Sequence, residues 1–423
     1  MISVITPVHN TSAPYVRDAY RSLQAQTYKE WEWILVPNNG GRVPKGIATN
    51  AKVAVYPIAD DDPEGRHNRI GRLKNFACSK AQGEILLELD ADDILMPTAL
   101  RKIRDAFKDP AVVMVYTNDA EFREGTWESH AYSEYWGWRS RPFFYQGHEL
   151  KEMIAWDPGP HMMRFIFWAP NHVRAWRSAA YHALGGHNRE LKTGDDHELC
   201  CRFYLEYGAR GLRHLNECLY LYRVHDHNSC RVYNDEVQAQ TLQNYLRFSR
   251  PLAIRWAKDS GLRLLDLGGR LNAWSGFETV DLMDADITAN LEDAWPFEDS
   301  SVGVIRASHI FEHLKDPVHT MNEAYRVLAP GGWLFIEVPS TDGRGAFQDP
   351  THVSFWNENS IWYYTNRNYA RFIPGYTGRF QNSRTITYFP TEFEKTHEIP
   401  IVQADLIALK PPYSDRPAGE VLI

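Results

Sequence analysis

Two strand-length apolar runs end in strongly polar or glycine-rich turns, one in each half of the chain. Glu84 to Leu89 runs straight into Asp90-Ala91-Asp92-Asp93, and Leu264-Leu265-Asp266-Leu267 runs into Gly268-Gly269. A strand that stops on such a turn before a helix is how an open α/β sheet presents its ligand-binding edge. The acidic turn suits a metal-bridged sugar nucleotide, and the glycine turn suits a purine-ribose cofactor. Each pattern lies within its own series of strands and helices, so the chain is expected to hold two fused α/β domains. A length of 423 residues allows two cores of about 200 residues each.

In the first series, Ile2 to Val8 reads as a buried strand and Val16 to Gln26 as a helix. Trp31 to Val36 is the next strand, closed by the turn Pro37-Asn38-Asn39-Gly40-Gly41. A helix near Arg72 to Ala81 precedes the acidic strand, and another follows from Pro97 to Phe107. Asp235 to about Phe248 reads as a helix that stops at Pro251. The domain boundaries expected are 1–234, a helical linker 235–260, and 261–423. In the second series the strands are Arg263 to Leu267, Thr279 to Leu282, Val302 to Ala307 and Trp333 to Val338. The helix Pro317 to Leu328 leads into a turn Pro330-Gly331-Gly332, and Thr385 to Phe389 and Ile401 to Leu409 close the series.

A formal net charge of −8 provides no global attraction to nucleic acid or to an anionic membrane. No apolar run approaches the roughly 18 residues needed to cross a bilayer, and the N-terminus has no basic leader pattern, so a soluble, cytoplasmic protein is expected. The five cysteines (Cys78, Cys200, Cys201, Cys218, Cys230) form no CxxC pair and read as reduced core thiols. The 14 tryptophans cluster: Trp127, Trp136 and Trp138 lie among Tyr132, Tyr135, Phe143, Phe144 and Tyr145, with Trp168 and Trp176 further on. Two readings of this cluster stay open, an aromatic core under an insertion or a platform on which sugar rings stack.

Asp90 and Asp92 are two residues apart, so at an extended strand end their carboxylates point to the same side and Ala91 points away. Hard oxygen ligands favour Mg²⁺ or Mn²⁺, and an ion held by few carboxylates keeps positions open for diphosphate oxygens. Five stretches in order carry a resemblance to the family 2 glycosyltransferases. They are Ile2-Ser3-Val4-Ile5-Thr6-Pro7-Val8-His9-Asn10, Ser22-Leu23-Gln24-Ala25-Gln26-Thr27-Tyr28, Lys74-Asn75-Phe76-Ala77, Leu89-Asp90-Ala91-Asp92-Asp93 and Gly194-Asp195-Asp196-His197-Glu198-Leu199. The resemblance implies a GT-A fold, Rossmann-like, for the first 230 or so residues. It implies that Thr6, Pro7, Asn39 and Lys74 bind the nucleotide sugar, that Asp90 and Asp92 face the metal, and that the later acidic pair activates the acceptor.

Glycosyl transfer needs a base for the acceptor hydroxyl proton and a cation for the leaving diphosphate. Asp196 is the expected base and Asp195 the alternative; two helix-terminal carboxylates serving only the helix dipole are the bland reading. Tyr222-Arg223-Val224-His225 resembles the family stretch in which the histidine completes the metal shell and the arginine faces the diphosphate. Inversion at the anomeric carbon follows from the resemblance alone. Two departures bear on specificity. Asn38-Asn39-Gly40-Gly41 stands where the family has Asp-Asp-Gly-Ser, leaving the donor open. His187-Asn188 stands where Phe-Asp is usual after Gly185-Gly186, leaving the acceptor open.

From about Leu262 the chain resembles the class I S-adenosylmethionine-dependent methyltransferases, a second Rossmann-like fold. The stretches are Leu265-Asp266-Leu267-Gly268-Gly269, Val280-Asp281-Leu282, Asp286-Ile287, Trp295-Pro296-Phe297-Glu298-Asp299-Ser300-Ser301-Val302, His309-Ile310-Phe311-Glu312-His313-Leu314 and Arg326-Val327-Leu328-Ala329-Pro330-Gly331-Gly332. The resemblance implies S-adenosylmethionine as cofactor, with Asp266, Gly268, Gly269, Asp281, Asp286, Ile287 and His309 in its site. Arg270 follows the glycines where many members carry another glycine. His352, in Asp349-Pro350-Thr351-His352, reads as a base for a sugar hydroxyl or as a turn histidine.

The leading expectation is an enzyme that moves a sugar from a nucleotide-diphosphate donor to a glycan-type acceptor and O-methylates the product. A glycosyltransferase with a non-catalytic C-terminal module is the second reading. A third, glycosylation of a nucleic-acid base, is disfavoured by the acidic charge. Oligomeric state is not legible.

Overall fold

The structure is a computed structural model and describes residues 1–10, 12–58, 69–133, 138–164, 172–270 and 272–411. The chain divides into two compact units, Met1–Glu134 with Trp138–Leu252 and, from Ala253 onward, a second. Both are α/β, as expected from the order of strands and helices.

In the first unit the strands are β1 (Ile2–Val8), β2 (Trp31–Pro37), β3 (Val53–Val55), β4 (Ile85–Glu88), β5 (Ile94–Leu95), β6 (Met114–Arg123), β7 (Arg139–Tyr145), β8 (His148–Ile154), β9 (Ala175–Arg177) and β10 (Leu212–Val224). The sheet runs β3-β2-β1-β4-β9-β6-β10-β5, with β8 on β6 and β7 on β8. β1 pairs parallel with both β2 and β4, so the carboxyl ends of these three strands share one edge. The near-continuous burial of β1 and β2 is that of parallel strands covered on both faces. Helix α1 (Val16–Gln24) turns Val16, Ala19 and Leu23 into the core at helical spacing. Helices α2 (Ile70–Ser79), α3 (Ala99–Ala106) and α4 (Asp195–Gly211) follow. Gln146 and Gly147 both have positive φ and join β7 to β8 through a two-residue turn that matches strand twist.

Helix α5 (Asn234–Asp259) corrects the expectation of a stop at Pro251: it continues through that proline. Proline removes one backbone donor, but Leu252, Ala253 and Ala257 on the following turns are fully buried, and this packing outweighs the lost bond.

The second unit holds β11 (Arg263–Leu267), β12 (Glu278–Asp281), β13 (Ile287–Thr288), β14 (Val302–Ser308), β15 (Leu328–Pro339), β16 (Phe380–Tyr388) and β17 (Ile401–Ala408). Their order is β13-β12-β11-β14-β15-β17-β16, parallel except for β17, which is antiparallel to both neighbours. Helix α6 (Pro317–Val327) starts on Asp316, whose carboxylate accepts from the Val318 and His319 amides. Pro330-Gly331-Gly332 belongs to β15: its register against β14 jumps from Leu328 to Trp333, so the expected turn is a bulge.

Candidate active site

The edge shared by β1, β2 and β4 is closed first by main-chain and amide bonds. Thr6 is fully buried; its hydroxyl donates to the Leu89 carbonyl (2.6 Å) and accepts from the Trp33 indole (2.8 Å). Through these bonds the Thr6 side chain ties β4 to β1 and β2. Pro7, on the same strand, is partly exposed. Asn38 is buried and its amide donates to the Val8 and Val36 carbonyls (both 3.3 Å). A carboxylate at this position would face two carbonyl oxygens without a proton to offer, which accounts for the departure from Asp. Asn39 is exposed with φ 46°, its amide 2.6 Å from His9 Nε2. A Cβ on Gly41 would lie 1.8 Å from the Val8 carbonyl oxygen, so the turn admits only glycine there.

The acidic loop after β4 is clamped by β10. Asp93 is buried, and its carboxylate accepts from the Tyr220 hydroxyl (2.7 Å) and the Arg223 amide (2.7 Å). Arg223 also donates to the Asp92 carbonyl (2.6 Å) and to Asp18 (3.0 Å), with its guanidinium over Tyr15 and Phe122. These contacts make Arg223 a brace for the loop. His225 Nε2 lies 2.8 Å from Asp92 Oδ2, and its ring stacks on Tyr15. Asp90 turns toward His172, whose Nε2 is 3.8 Å away. Asp92 and His225 thus stand side by side, with Asp90 two residues before Asp92 at the same strand end. Asp92 with His225 does fit a cation: a carboxylate and an imidazole side by side are donors that Mn²⁺ accepts. Burial pushes the Asp90 carboxyl up to about 6, against the pull of Lys74 and with Asp92 adding to it.

Behind this loop lies a buried charge network centred on Glu88. Its carboxylate is 3.0 Å from Lys74 Nζ, 3.1 Å from Arg174 Nη2, 3.0 Å from the Trp176 indole and 3.0 Å from His187 Nε2. Despite the desolvation that opposes ionisation, Lys74 and Arg174 hold the Glu88 carboxyl well below the usual range. Arg174 reaches Asp196 with the same nitrogen, at 2.9 Å. Asp195 lies deeper, 3.5 Å from His187 Nε2 and 3.8 Å from Lys74 Nζ. The two acids at the start of α4 are thus driven apart. Burial raises Asp195, only partly offset by Lys74 and His187, whereas Arg174 and then Lys74 overcome burial and lower Asp196. Asp196 is also the more open of the two, its side chain 25% exposed against 3%. Lys74 is therefore part of this network. Glu88 and Arg174 are single polar residues in otherwise ordinary stretches, with no local pattern to mark them, and His187 is the histidine that follows Gly185-Gly186.

Part of the aromatic insertion is buried, Trp138 among it, whereas Tyr132 and Phe144 are exposed. Trp127 stacks between Phe122 (4.7 Å) and His148 (4.8 Å), Trp138 packs on Trp156 (4.5 Å), and Trp176 is fully buried. Tyr135, Trp136 and Trp168 lie outside the described residues. Cys78, Cys200, Cys201 and Cys218 are buried free thiols.

In the second unit Asp281 ends β12, where the cofactor reading expects an acid, and the Gly268 amide donates to the neighbouring Val280 carbonyl (2.8 Å). Asp266 is fully buried, paired with Arg306 (2.8 Å) and accepting from the Trp274 amide (2.9 Å). Gly269 makes room for this carboxylate, whose Cγ is 2.7 Å from where a Cβ would stand. The Asp286 carboxylate is exposed and accepts from the Thr279 amide and hydroxyl (2.9 and 2.8 Å). Ile287 packs partly into the core, and Arg270 pairs with Asp284 (3.2 Å). His309 is half exposed, its Nδ1 3.4 Å from Glu312, which raises its pKa. His352 is buried beside His313, ring centroids 4.9 Å apart.

Residues 3–168 match Glycosyl transferase family 2, and residues 270–336 match a methyltransferase domain. The chain thus joins a domain of glycosyltransferase family 2 to a methyltransferase domain. It is similar to the O-antigen biosynthesis protein RfbC of Myxococcus xanthus, 25% identical over 52% of this chain and 16% of that one. Similarity to the chondroitin synthase of Pasteurella multocida is 23% identity over 54% of this chain and 21% of that one. The chain therefore spans about a fifth or less of the length of these two relatives. Among solved structures, TarS of S. aureus matches with TM-score 0.41 and 16% identity, covering 62% of this chain and 70% of that one. The mannosyltransferase PcManGT from Pyrobaculum calidifontis, in complex with GDP-Man and Mn²⁺, matches with TM-score 0.40 and 16% identity over 60% and 69%. Among the described residues no helix is long and apolar enough to cross a membrane.

Proposed function

We propose that the first unit transfers a sugar from a nucleotide-diphosphate donor to a hydroxyl of a glycan-type acceptor, with inversion. The observation that carries this reading is the opposed pair at the start of α4. Asp195 is buried against Lys74 and His187, while Asp196 is held as a carboxylate by Arg174 and open to an incoming hydroxyl. Asp196 takes the acceptor proton as the glycosidic bond forms. Pro7 and Asn39 flank the nucleotide, Asp92 with His225 holds the cation, and Asp90 presents its carboxylate beside them. A bound Mn²⁺ or Mg²⁺ supplies stabilisation of the charge that develops on the leaving diphosphate. Arg223 and Asp93 keep the loop in place, and Thr6 fixes the strand end beneath it.

The second unit is proposed to bind S-adenosylmethionine through the Gly268 turn and Asp281, and to O-methylate the glycan. Asp266 and Gly269 act behind that turn. A panel of nucleotide sugars, screened by thermal shift with Mn²⁺ and with chelator, tests the first reading. Metal-dependent stabilisation by one donor, lost in Asp92→Ala, is the expected result; no response to any donor refutes it. S-adenosylmethionine added alone tests the second. Absence of binding there leaves the C-terminal unit as a non-catalytic module.

A further inference from the structure

We propose that the second unit holds a divalent transition-metal ion between Glu312, His313 and His352. Glu312 and His313 sit in the single turn Phe311–His313 that follows β14. This turn borders the glycine loop, since a Cβ on Gly268 would stand 3.0 Å from the Ile310 side chain. His352 arrives from a separate segment drawn against the turn by the Val353 and Ser354 amides, which both donate to the Glu312 carbonyl (2.8 and 3.0 Å). The Ser354 hydroxyl adds a third bond to the Phe311 carbonyl (2.8 Å). The three side chains each offer one ligand atom, and these atoms all lie within 4.8 Å of one another.

Two features point to a ligand. Glu312 is 2% exposed; Oε1 has one weak partner, His309 Nδ1 at 3.4 Å, and Oε2 has none. A buried carboxyl group with one oxygen unpaired has room for a further partner. The imidazoles are also oriented for coordination. His352 Nδ1 faces the Ala346 carbonyl (3.0 Å) and His313 Nδ1 faces the Thr351 carbonyl (3.3 Å), with the Thr351 hydroxyl at 3.1 Å. A carbonyl accepts only a proton, so each Nδ1 carries the hydrogen and each Nε2 keeps its lone pair, the outer-shell arrangement of metal-bound histidine.

Two imidazoles and one carboxylate select Mn²⁺, Fe²⁺, Co²⁺, Ni²⁺ or Zn²⁺ over Mg²⁺ and Ca²⁺. Three protein ligands leave coordination positions open. Those positions suit oxygen donors such as sugar hydroxyls, a clause that rests on the glycan-methylating reading; the metal site itself does not.

Co²⁺ titration of the full chain carrying Asp92→Asn, followed by visible d–d absorption and equilibrium dialysis, tests the site with the first unit's cation position disabled. The expected result is about one bound equivalent with a nitrogen-ligand spectrum. His352→Gln and Glu312→Gln, introduced separately into that background, are expected to weaken binding about tenfold or more while circular dichroism stays unchanged. No bound Co²⁺ in the Asp92→Asn chain, or undiminished binding in both folded variants, overturns the proposal. Because the readout involves neither donor nor S-adenosylmethionine, failure of the glycosyl or methyl transfer readings leaves this result distinct.

Discussion

Arg174 binds Glu88 on one side and Asp196 on the other, so a single guanidinium both stabilises the sheet end and sets the charge of the proposed base. Replacing Asp196 with Asn is expected to lower kcat about 10²- to 10⁴-fold with little change in donor affinity, measured by initial rates and by calorimetry. The lowered pKa of Asp196 has a defined sign: the carboxylate is charged above it, and its contribution to stability is full above the ordinary aspartate value. That contribution is lost as pH falls through the lowered value. Wild type is therefore expected to melt higher than Asp196→Asn near pH 6, with the two curves converging at strongly acidic pH; a gap that widens on acidification would contradict this. Glu88→Gln leaves Lys74 and Arg174 with less opposite charge in a dry environment. It is expected to cost about 3–5 kcal/mol in urea unfolding. His187, by contrast, touches both Glu88 and Asp195 and belongs to the positioning of the pair.

At the level of elements, strands and helices behaved as their periodicity implied, and the exceptions have physical causes. The turn after β2 depends on glycine at position 41, where a methyl group would overlap the Val8 carbonyl. Gly41→Ala is expected to lose about 2 kcal/mol or more of stability and to weaken nucleotide binding through the displaced Asn38 and Asn39. Unchanged melting would show that the turn relaxes freely. In α5, Pro251 sits where a donor is missing from the helix ladder. Pro251→Ala restores that donor and is expected to raise stability by about 1–3 kcal/mol, read from denaturant midpoints at constant m-value. The bulge at Pro330-Gly331-Gly332 was legible as a turn signal but not as part of a strand, because only the pairing with β14 continues the ladder on either side.

For the whole molecule, a net charge of −8 opposes binding to polyanions. No salt-sensitive shift of duplex or single-stranded DNA is expected at about 150 mM salt, and a shift that weakens steeply with salt would revive the nucleic-acid reading. The sequence by itself determined the two α/β domains, the order of their main strands and the placing of the acidic and glycine turns at strand ends. These follow from hydrophobic periodicity and turn residues, which act over a few neighbours. Which polar side chains are open was decided by tertiary structure alone. Thr6 meets Trp33 and Leu89, Asp266 meets Arg306, and Glu88 meets Arg174, partners 27 to 86 residues apart. Whether such a group is shielded by a partner or offered to a ligand depends on contacts between distant segments, and local patterns carry no record of them.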